Sequence, residues 1–215
     1  MAYSKSQISN LYQQRAAHYD LTANLYYLLG FREQAYRKRA VAALRLEPGD
    51  TVVELGCGTG LNFSLLQQAV GPAGKIIGVD LSQEMLDQAK TRVEKHGWNN
   101  VELVQADAAA YEFPQGIGGM LSTFALTLAP EYDAIIQSAA KALSPGKRCV
   151  VLDFKQPKRV PLWLVRFGAL IARPFGVTLD LAERHPWESI ERHLSKVAFE
   201  ERYLGFVYIA VGERR

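Results

Sequence analysis

Three glycines alternate with other residues directly after a short β-branched run, and acidic residues follow at a regular distance. The run Thr51 to Leu55 leads into Gly56-Cys57-Gly58-Thr59-Gly60, and glycines let a backbone approach a ligand where a Cβ would collide. Asp80 ends the next apolar run, about twenty residues on, where a carboxylate can accept hydrogen bonds from a ribose diol. Asp107 follows the third run and faces the same crevice. The spacing predicts a nucleotide-binding site.

The residue before the glycines narrows the choice of nucleotide. Cofactors with a pyrophosphate favour the spacing G-x-G-x-x-G, whereas this chain has E-x-G-x-G-x-G, in which the acid is Glu54. A carboxylate at this position would repel phosphate and suits a cationic ligand.

Strands and helices must alternate to hold these residues. Apolar runs predict strands at 51–55, 75–79, 101–105, 117–124 and 148–154, with two closing strands at 199–202 and 205–211. Helical spacing predicts helices at 61–70, 83–96 and 131–143, and two more in the first forty-five residues, broken around Gly30. Such β-α repeats imply an α/β fold with a mostly parallel seven-stranded sheet covered by helices on both faces.

Composition sets the outer limits. The 215 residues are 48% hydrophobic and 22% charged with a net charge of +3, which predicts one domain with a large core and excludes a disordered or disulfide-stapled chain. The two cysteines, Cys57 and Cys149, fit a reducing compartment. The polar N-terminal segment has no apolar stretch of the kind that forms the core of a signal peptide. We therefore expect a cytoplasmic protein without a structural metal.

At this point the sequence resembles the class I S-adenosylmethionine (SAM) methyltransferases over residues 48 to 154. The matching motifs are Glu54 to Gly60, Gly78-Val79-Asp80-Leu81-Ser82, Gln105-Ala106-Asp107-Ala108 and Leu143-Ser144-Pro145-Gly146. The resemblance implies a Rossmann-like, doubly wound fold with an N-terminal helical cap. It also implies that the glycines make room for the methionyl part of SAM, that Asp80 holds the ribose and that Asp107 with Ala108 borders the adenine.

The beginning of the chain carries a second resemblance. Ala16-Ala17-His18-Tyr19-Asp20-Leu21 and Phe31-Arg32 resemble the lead-in of the ubiquinone/menaquinone C-methyltransferases and of the bacterial phospholipid (phosphatidylethanolamine) N-methyltransferases. Their helix closes over SAM, which assigns Tyr19 to the methionine carboxylate; packing within an amphipathic helix is the alternative. The cofactor-binding residues expected from both resemblances are Tyr19, Glu54, Gly56, Cys57, Gly58, Gly60, Asp80, Leu81, Met85, Asp107, Ala108 and Thr123.

The net charge is distributed unevenly. Residues 1 to 140 are slightly acidic and the rest basic, with no Asp or Glu between Phe154 and Leu179. The apolar stretch Val160 to Phe175 is too short to span a bilayer and is broken by Arg166. It predicts a lid within residues 155–195 that covers the acceptor and contacts an anionic membrane surface; a helix packed on the sheet is the alternative. The expected single domain thus comprises a helical cap (1–47), a SAM-binding core (48–154), this lid and closing strands (196–215).

The acceptor decides which acid or base the reaction needs. An amine must only be neutral when it attacks, whereas a phenolic ring carbon needs a base. His185, Tyr208 and His18 are the candidate catalytic residues, with Asp153 beside them, and His185 leads because its charge changes near neutral pH. A structural role is the alternative for each.

Several functions remain open. The sequence favours methylation of a lipid-like acceptor, foremost a phospholipid amino head group, because the end Gly205 to Gly212 is closer to the phospholipid enzymes. The alternatives are C-methylation of a polyprenyl quinone ring, methylation of a small soluble metabolite, and a SAM-binding accessory protein. No Asn-Pro-Pro-aromatic motif follows the fourth strand, which argues against a nucleic-acid partner.

Overall fold

A computed structural model describes residues 31–157 and 184–215. Of the two helices expected around Gly30, only the second lies within the described residues. The first helix and the apolar stretch Val160 to Phe175 lie outside them. The elements in chain order are α1 (Glu33–Ala43), β1 (Thr51–Leu55), α2 (Phe63–Val70), β2 (Lys75–Asp80), α3 (Gln83–His96), β3 (Val101–Gln105), β4 (Ile117–Thr123), α4 (Tyr132–Ala142), β5 (Leu143–Phe154), α5 (Pro186–His193), β6 (Ser195–Arg202) and β7 (Val207–Glu213). Short 3₁₀ turns lie at Leu126–Leu128 and Tyr203–Gly205.

The seven strands form one sheet in the order β3-β2-β1-β4-β5-β7-β6. β1 to β5 pair in parallel, while β7 runs antiparallel to both β5 and β6. The central strand β1 therefore has β2 on one side and β4 on the other. The expected mostly parallel α/β sheet of seven strands is confirmed.

Helices cover both faces of the sheet because successive strand residues point to opposite sides. On one face, Val53 and Ile77 pack in a core with Ile136 of α4 and Ile190 of α5. On the other, Val52 and Ile76 pack in a core with residues of α1, α2 and α3. The near-continuous apolar runs in the sequence are thus strands buried on both sides.

Local signals fix both ends of α3. Ser82 caps α3, because its Oγ accepts the Met85 N–H at 3.3 Å, and Gly97 ends the helix in the left-handed conformation. The predicted bounds of α3, β1 and β3 are confirmed to the residue. The other elements predicted within the described residues differ from the observed ones by a few residues at their ends.

Two features differ from the expectation. The motif Leu143 to Gly146, which was expected to precede the fifth strand as a turn, is part of β5, which pairs with β4 from Leu143 onward across a register shift. The helix α5 was not predicted; it begins with Pro186 at its first turn and buries Ile190 against α4. Residues 186–193 of the predicted lid segment therefore pack on the sheet. None of the helices in residues 31–157 and 184–215 is long and apolar enough to cross a membrane.

Phe63 supports the glycine turn from below. Its side chain is fully buried (0% exposed), and its ring lies where a Cβ at Gly60 or Gly78 would be, only 2.6 and 2.7 Å away. The absence of side chains at these two glycines lets the ring fill the space between α2 and β2. Packing beneath the turn therefore explains part of the glycine pattern.

We expect Phe63→Ala to lower the free energy of unfolding by about 3–5 kcal/mol, because the substitution leaves a cavity that backbone cannot fill. Urea denaturation measures the change. Leu204→Ala is the matched control, since Leu204 is 78% exposed and its loss should cost no more than about 0.5 kcal/mol. Equal effects of the two substitutions would contradict this account.

Candidate cofactor and acceptor site

A cleft opens at the carboxyl ends of β1, β2, β3 and β4. It holds about 1080 Å³ of space not filled by atoms, part of it open to solvent. In open α/β sheets, ligands bind in the crevice outside the carboxyl ends of the strands. Nine of the residues predicted to bind the cofactor line this cleft: Gly56, Cys57, Gly58, Asp80, Leu81, Met85, Asp107, Ala108 and Thr123.

The glycine turn forms the floor of the cleft. Gly56 and Gly58 have φ values of +64° and +55°, in the left-handed region that other residues avoid. A Cβ on Gly56 would collide with the Cβ of Ala125, whereas a Cβ on Gly58 would point into open space. The turn therefore needs glycine for its conformation at both positions and for close packing at Gly56.

Asp80 ties the glycine turn to the next helix. Its Oδ2 accepts the Gly58 N–H at 2.8 Å and its Oδ1 accepts the Ser82 N–H at 3.0 Å. Burial raises the pKa of Asp80, although both backbone N–H groups act in the opposite direction. Because each carboxylate oxygen can accept more than one hydrogen bond, this fixed carboxylate can still bind hydroxyl groups from the cleft.

The wall beyond Asp80 combines an acid with apolar side chains. Asp107 follows β3, where its Oδ1 accepts the Ala109 N–H at 3.0 Å. Ala108, Leu81 and Met85 complete this side of the cleft. Such a slot suits a flat, mostly apolar ring with a few polar edges.

Two residues predicted to bind the cofactor, Glu54 and Gly60, do not line the cleft. Glu54 is fully buried and its Oε1 accepts a hydrogen bond from Asn62 Nδ2 at 2.5 Å, while its Oε2 has no hydrogen-bond partner among the described residues. Burial raises the pKa of Glu54 to about 7. Gly60 faces Phe63 rather than the cleft. A third, Tyr19, lies outside the described residues.

Arg37 lines the cleft, and the sequence analysis missed it. The residue belongs to α1, is buried, and donates from Nη1 to Thr123 Oγ1 at 2.7 Å. Asn62 Nδ2 donates to the same hydroxyl at 2.9 Å, so a buried polar network joins Arg37 to Glu54. Helical spacing could have indicated that Arg37 is buried, because this residue shares a helix face with the buried Val41 and Leu44.

The cleft does not include the candidate acid-base residues His185 and Tyr208. His185 is 40% exposed at its side chain, with Nδ1 3.0 Å from Glu188 Oε1, and stacks on Trp187. Tyr208 is fully buried on β7, where its ring packs between Trp187 and Phe199, and desolvation raises the pKa of its phenol. His18 lies outside the described residues.

Asp153 holds the part of the wall that follows β4. Its buried carboxylate accepts the Thr127 N–H and the Phe154 N–H, each at 2.8 Å, and desolvation raises its pKa to about 6. Arg184 binds the same turn from the other side, donating to the carbonyls of Thr127 and Leu128 at 2.8 and 2.7 Å. Asp153 and Arg184 together fix the 3₁₀ turn whose Leu126 and Leu128 line the cleft.

Solved structures share this architecture at low sequence identity. The [4+2]-cyclase SpnF aligns with 99% of this chain and 97% of its own at a TM-score of 0.75 and 17% identity. Geranyl diphosphate C-methyltransferase from Streptomyces coelicolor A3(2), solved with Mg2+, geranyl diphosphate and S-adenosyl-L-homocysteine, aligns with 85% of this chain and 79% of its own at a TM-score of 0.65 and 15% identity. These likenesses show the fold.

Sequence relatives include the demethylmenaquinone methyltransferase of Listeria welshimeri, which is 28% identical over 135 residues. The match covers 62% of this chain and 57% of the relative, so this chain spans less than two thirds of that protein's length.

The family model described as a methyltransferase domain matches residues 46–173, which is more than half of the chain. The matched region contains the glycine turn, both strand-end acids and β4. The chain belongs to the methyltransferase domain family.

Proposed function

We propose that this chain transfers a methyl group from SAM to a ring carbon of a lipophilic quinol with a polyprenyl tail. The observation that carries the proposal is the similarity to relatives named demethylmenaquinone methyltransferase. It favours the quinone ring over the phospholipid amino head group that the sequence analysis put first. Such a reaction belongs to lipid metabolism.

The cleft supports one orientation of the cofactor. Its residues follow the sheet order β3, β2, β1, β4, which places Asp107, Asp80, the glycine turn and Thr123 in a row. In the proposed orientation the adenine lies beside Asp107, Ala108, Leu81 and Met85, the ribose on Asp80, and the methionyl part over the glycine turn from Gly56 to Gly58. Glu54 and Gly60 support that turn from behind, and Tyr19 remains a proposed partner of the methionyl group.

The remaining wall suits an apolar ring. Phe124, Ala125, Leu126, Leu128 and Ala129 line the cleft on the β4 side, and none of them carries a charge. Apolar walls of this kind bind a flat hydrophobic acceptor and exclude water. A cationic head group would find no carboxylate among these five residues.

SAM supplies an electrophilic methyl group on a sulfonium. The residues of the cleft must then align the ring carbon with that methyl group, since positioning alone provides much of the rate enhancement. The new carbon–carbon bond forms as the sulfur–carbon bond breaks, and the ring carbon loses a proton to a base. Asp153 is proposed as a positioning residue, because it holds the turn that carries Leu126 and Leu128; His185, Tyr208 and His18 stay the candidates for the base.

The whole chain, in this proposal, acts as one domain whose residues 155–195 border the acceptor. A prenyl tail longer than the cleft would remain in a membrane, which supports peripheral contact with an anionic bilayer. Lys155 does not serve that contact, because its Nζ lies 5.2 Å from the ring centroids of both Trp187 and Phe199 and pairs with Glu201.

We expect Asp80→Ala to weaken SAM binding by at least about 1.5 kcal/mol, because the variant loses charge-assisted hydrogen bonds to the ribose. Isothermal titration calorimetry with SAM and with its 2′,3′-dideoxy analogue distinguishes a direct contact with the ribose from a disturbed glycine turn. Asp80→Ala should weaken binding of the analogue less than it weakens binding of SAM. Asp87→Ala, an exposed acid on α3, is the control, and an unchanged affinity of Asp80→Ala for SAM would refute the ribose assignment.

We expect Glu54→Gln to change how stability depends on pH. The folded protein has a Glu54 pKa of about 7 against an ordinary value of 4.5, so it keeps a proton that the unfolded chain releases. The free energy of unfolding of the native sequence therefore falls by about 3 kcal/mol, from this residue alone, as pH rises through this window. Urea denaturation between pH 4 and about 8 should show a shallower fall for the variant.

Asp153→Asn provides the matched comparison. Its carboxyl has a pKa raised from 3.8 to about 6, so this substitution should flatten the fall below about pH 6 and leave the part between pH 6 and 7 intact. Parallel curves for both variants and the native protein would contradict the assignment of buried, proton-retaining carboxyls.

The acceptor is tested by incubating the protein with methyl-labelled SAM and vesicles that contain either a prenylated demethyl-hydroquinone or phosphatidylethanolamine. Label should enter the quinol ring, and Leu128→Asp should reduce the transfer about tenfold or more, because it places a charge on the apolar wall. Binding of S-adenosylhomocysteine should remain within about threefold. Label in phosphatidylethanolamine, or only in water-soluble products of a cell extract, would overturn the proposal.

A further inference from the structure

The cleft has an acidic side and a basic side. Asp107 and Asp80 lie at the ends of β3 and β2, and Arg37 lies beyond the end of β4, where it donates to Thr123. Among the described residues that line the cleft, Arg37 is the one with a positively charged side chain. Because β1 lies between β2 and β4, the glycine turn separates the two sides.

This order matches the charge distribution of SAM. The molecule is a nucleoside at one end and carries an amino group and a carboxylate at the other. With the nucleoside on the acidic side, as proposed above, its carboxylate reaches past the glycine turn toward the end of β4. A buried guanidinium is the group that recognises a carboxylate best, through two parallel hydrogen bonds.

Contacts within the protein hold the guanidinium still. Its Nε donates to Glu33 Oε1 at 2.8 Å, and its Nη2 forms an ion pair with the same oxygen at 2.7 Å. Nη1 donates to Thr123 Oγ1, and the guanidinium carbon lies 5.3 Å from the centre of the Phe124 ring. A guanidinium has five N–H donors, so these bonds leave a donor on each terminal nitrogen for a ligand.

We propose that Arg37 binds the methionyl carboxylate of SAM and thereby selects the complete cofactor over forms that lack this group. The inference rests on the cofactor orientation proposed above and does not depend on the acceptor. Arg37 precedes residues 46–173, the region matched by the family model, so α1 adds the carboxylate subsite from outside that region. Glu33, four residues earlier on the same helix, acts as a positioning residue.

The test compares two ligands that differ in the proposed contact. S-adenosylhomocysteine contains the amino-carboxylate group, and 5′-methylthioadenosine lacks it while keeping the adenosine and the sulfur. We expect Arg37→Met to weaken S-adenosylhomocysteine at least about tenfold by calorimetry and 5′-methylthioadenosine less than about threefold. Equal weakening of both ligands, or no weakening of either, would overturn the proposal.

Two further variants complete the experiment. Arg39→Met is the matched control, because Arg39 lies on the same helix but its side chain is exposed and pairs with Glu200; it should leave both affinities unchanged. Arg37→Lys keeps the positive charge but lacks the planar fork, and should weaken S-adenosylhomocysteine selectively, by a smaller factor. If Arg37→Met does not fold, the selectivity of Arg37→Lys decides, and equal affinities for that variant and the native protein refute the contact. The test uses no methyl acceptor, so its outcome does not depend on whether the protein methylates a quinol.

Discussion

The site depends on the parallel pairing of β1 with β2 on one side and with β4 on the other. Parallel strands end at the same edge of a sheet, so residues that are far apart in the chain meet there. Gly58 and Asp80, 22 residues apart, form a backbone-to-carboxylate hydrogen bond at this edge. The bond fixes the turn after β1 against the end of β2 and so sets the shape of the cleft floor.

Packing below the floor is as restrictive as hydrogen bonding above it. The ring of Phe63 occupies the space that side chains at Gly60 and Gly78 would need, and Ala125 does the same at Gly56. Protein interiors are packed as densely as organic crystals. The glycines of the motif therefore serve two purposes, with Gly56 and Gly58 facing the cleft and Gly60 making room for the core.

Buried polar groups define the walls. On one face of the sheet, Arg37, Thr123, Asn62 and Glu54 form a hydrogen-bonded network below the glycine turn. On the other, Asp153 holds the turn that carries Leu126 and Leu128. Buried carboxyls are costly unless they are hydrogen-bonded or protonated, which explains why the pKa values of both Glu54 and Asp153 are raised. Each carboxyl fixes a wall that lines the cleft without lying in it.

The sequence by itself determined the strands, most helices and the glycine turn, because these follow from local periodicity and from the conformational needs of glycine. It also placed Asp80 and Asp107 at strand ends, and the parallel sheet then brought them to one cleft. Only the tertiary structure decided that Glu54 is buried below the glycine turn, that Arg37 reaches the cleft, and that His185 and Tyr208 lie away from it. The physical reason is that burial and side-chain direction depend on which elements pack together, and a single chain's local pattern cannot specify contacts between residues such as Arg37 and Thr123, 86 positions apart.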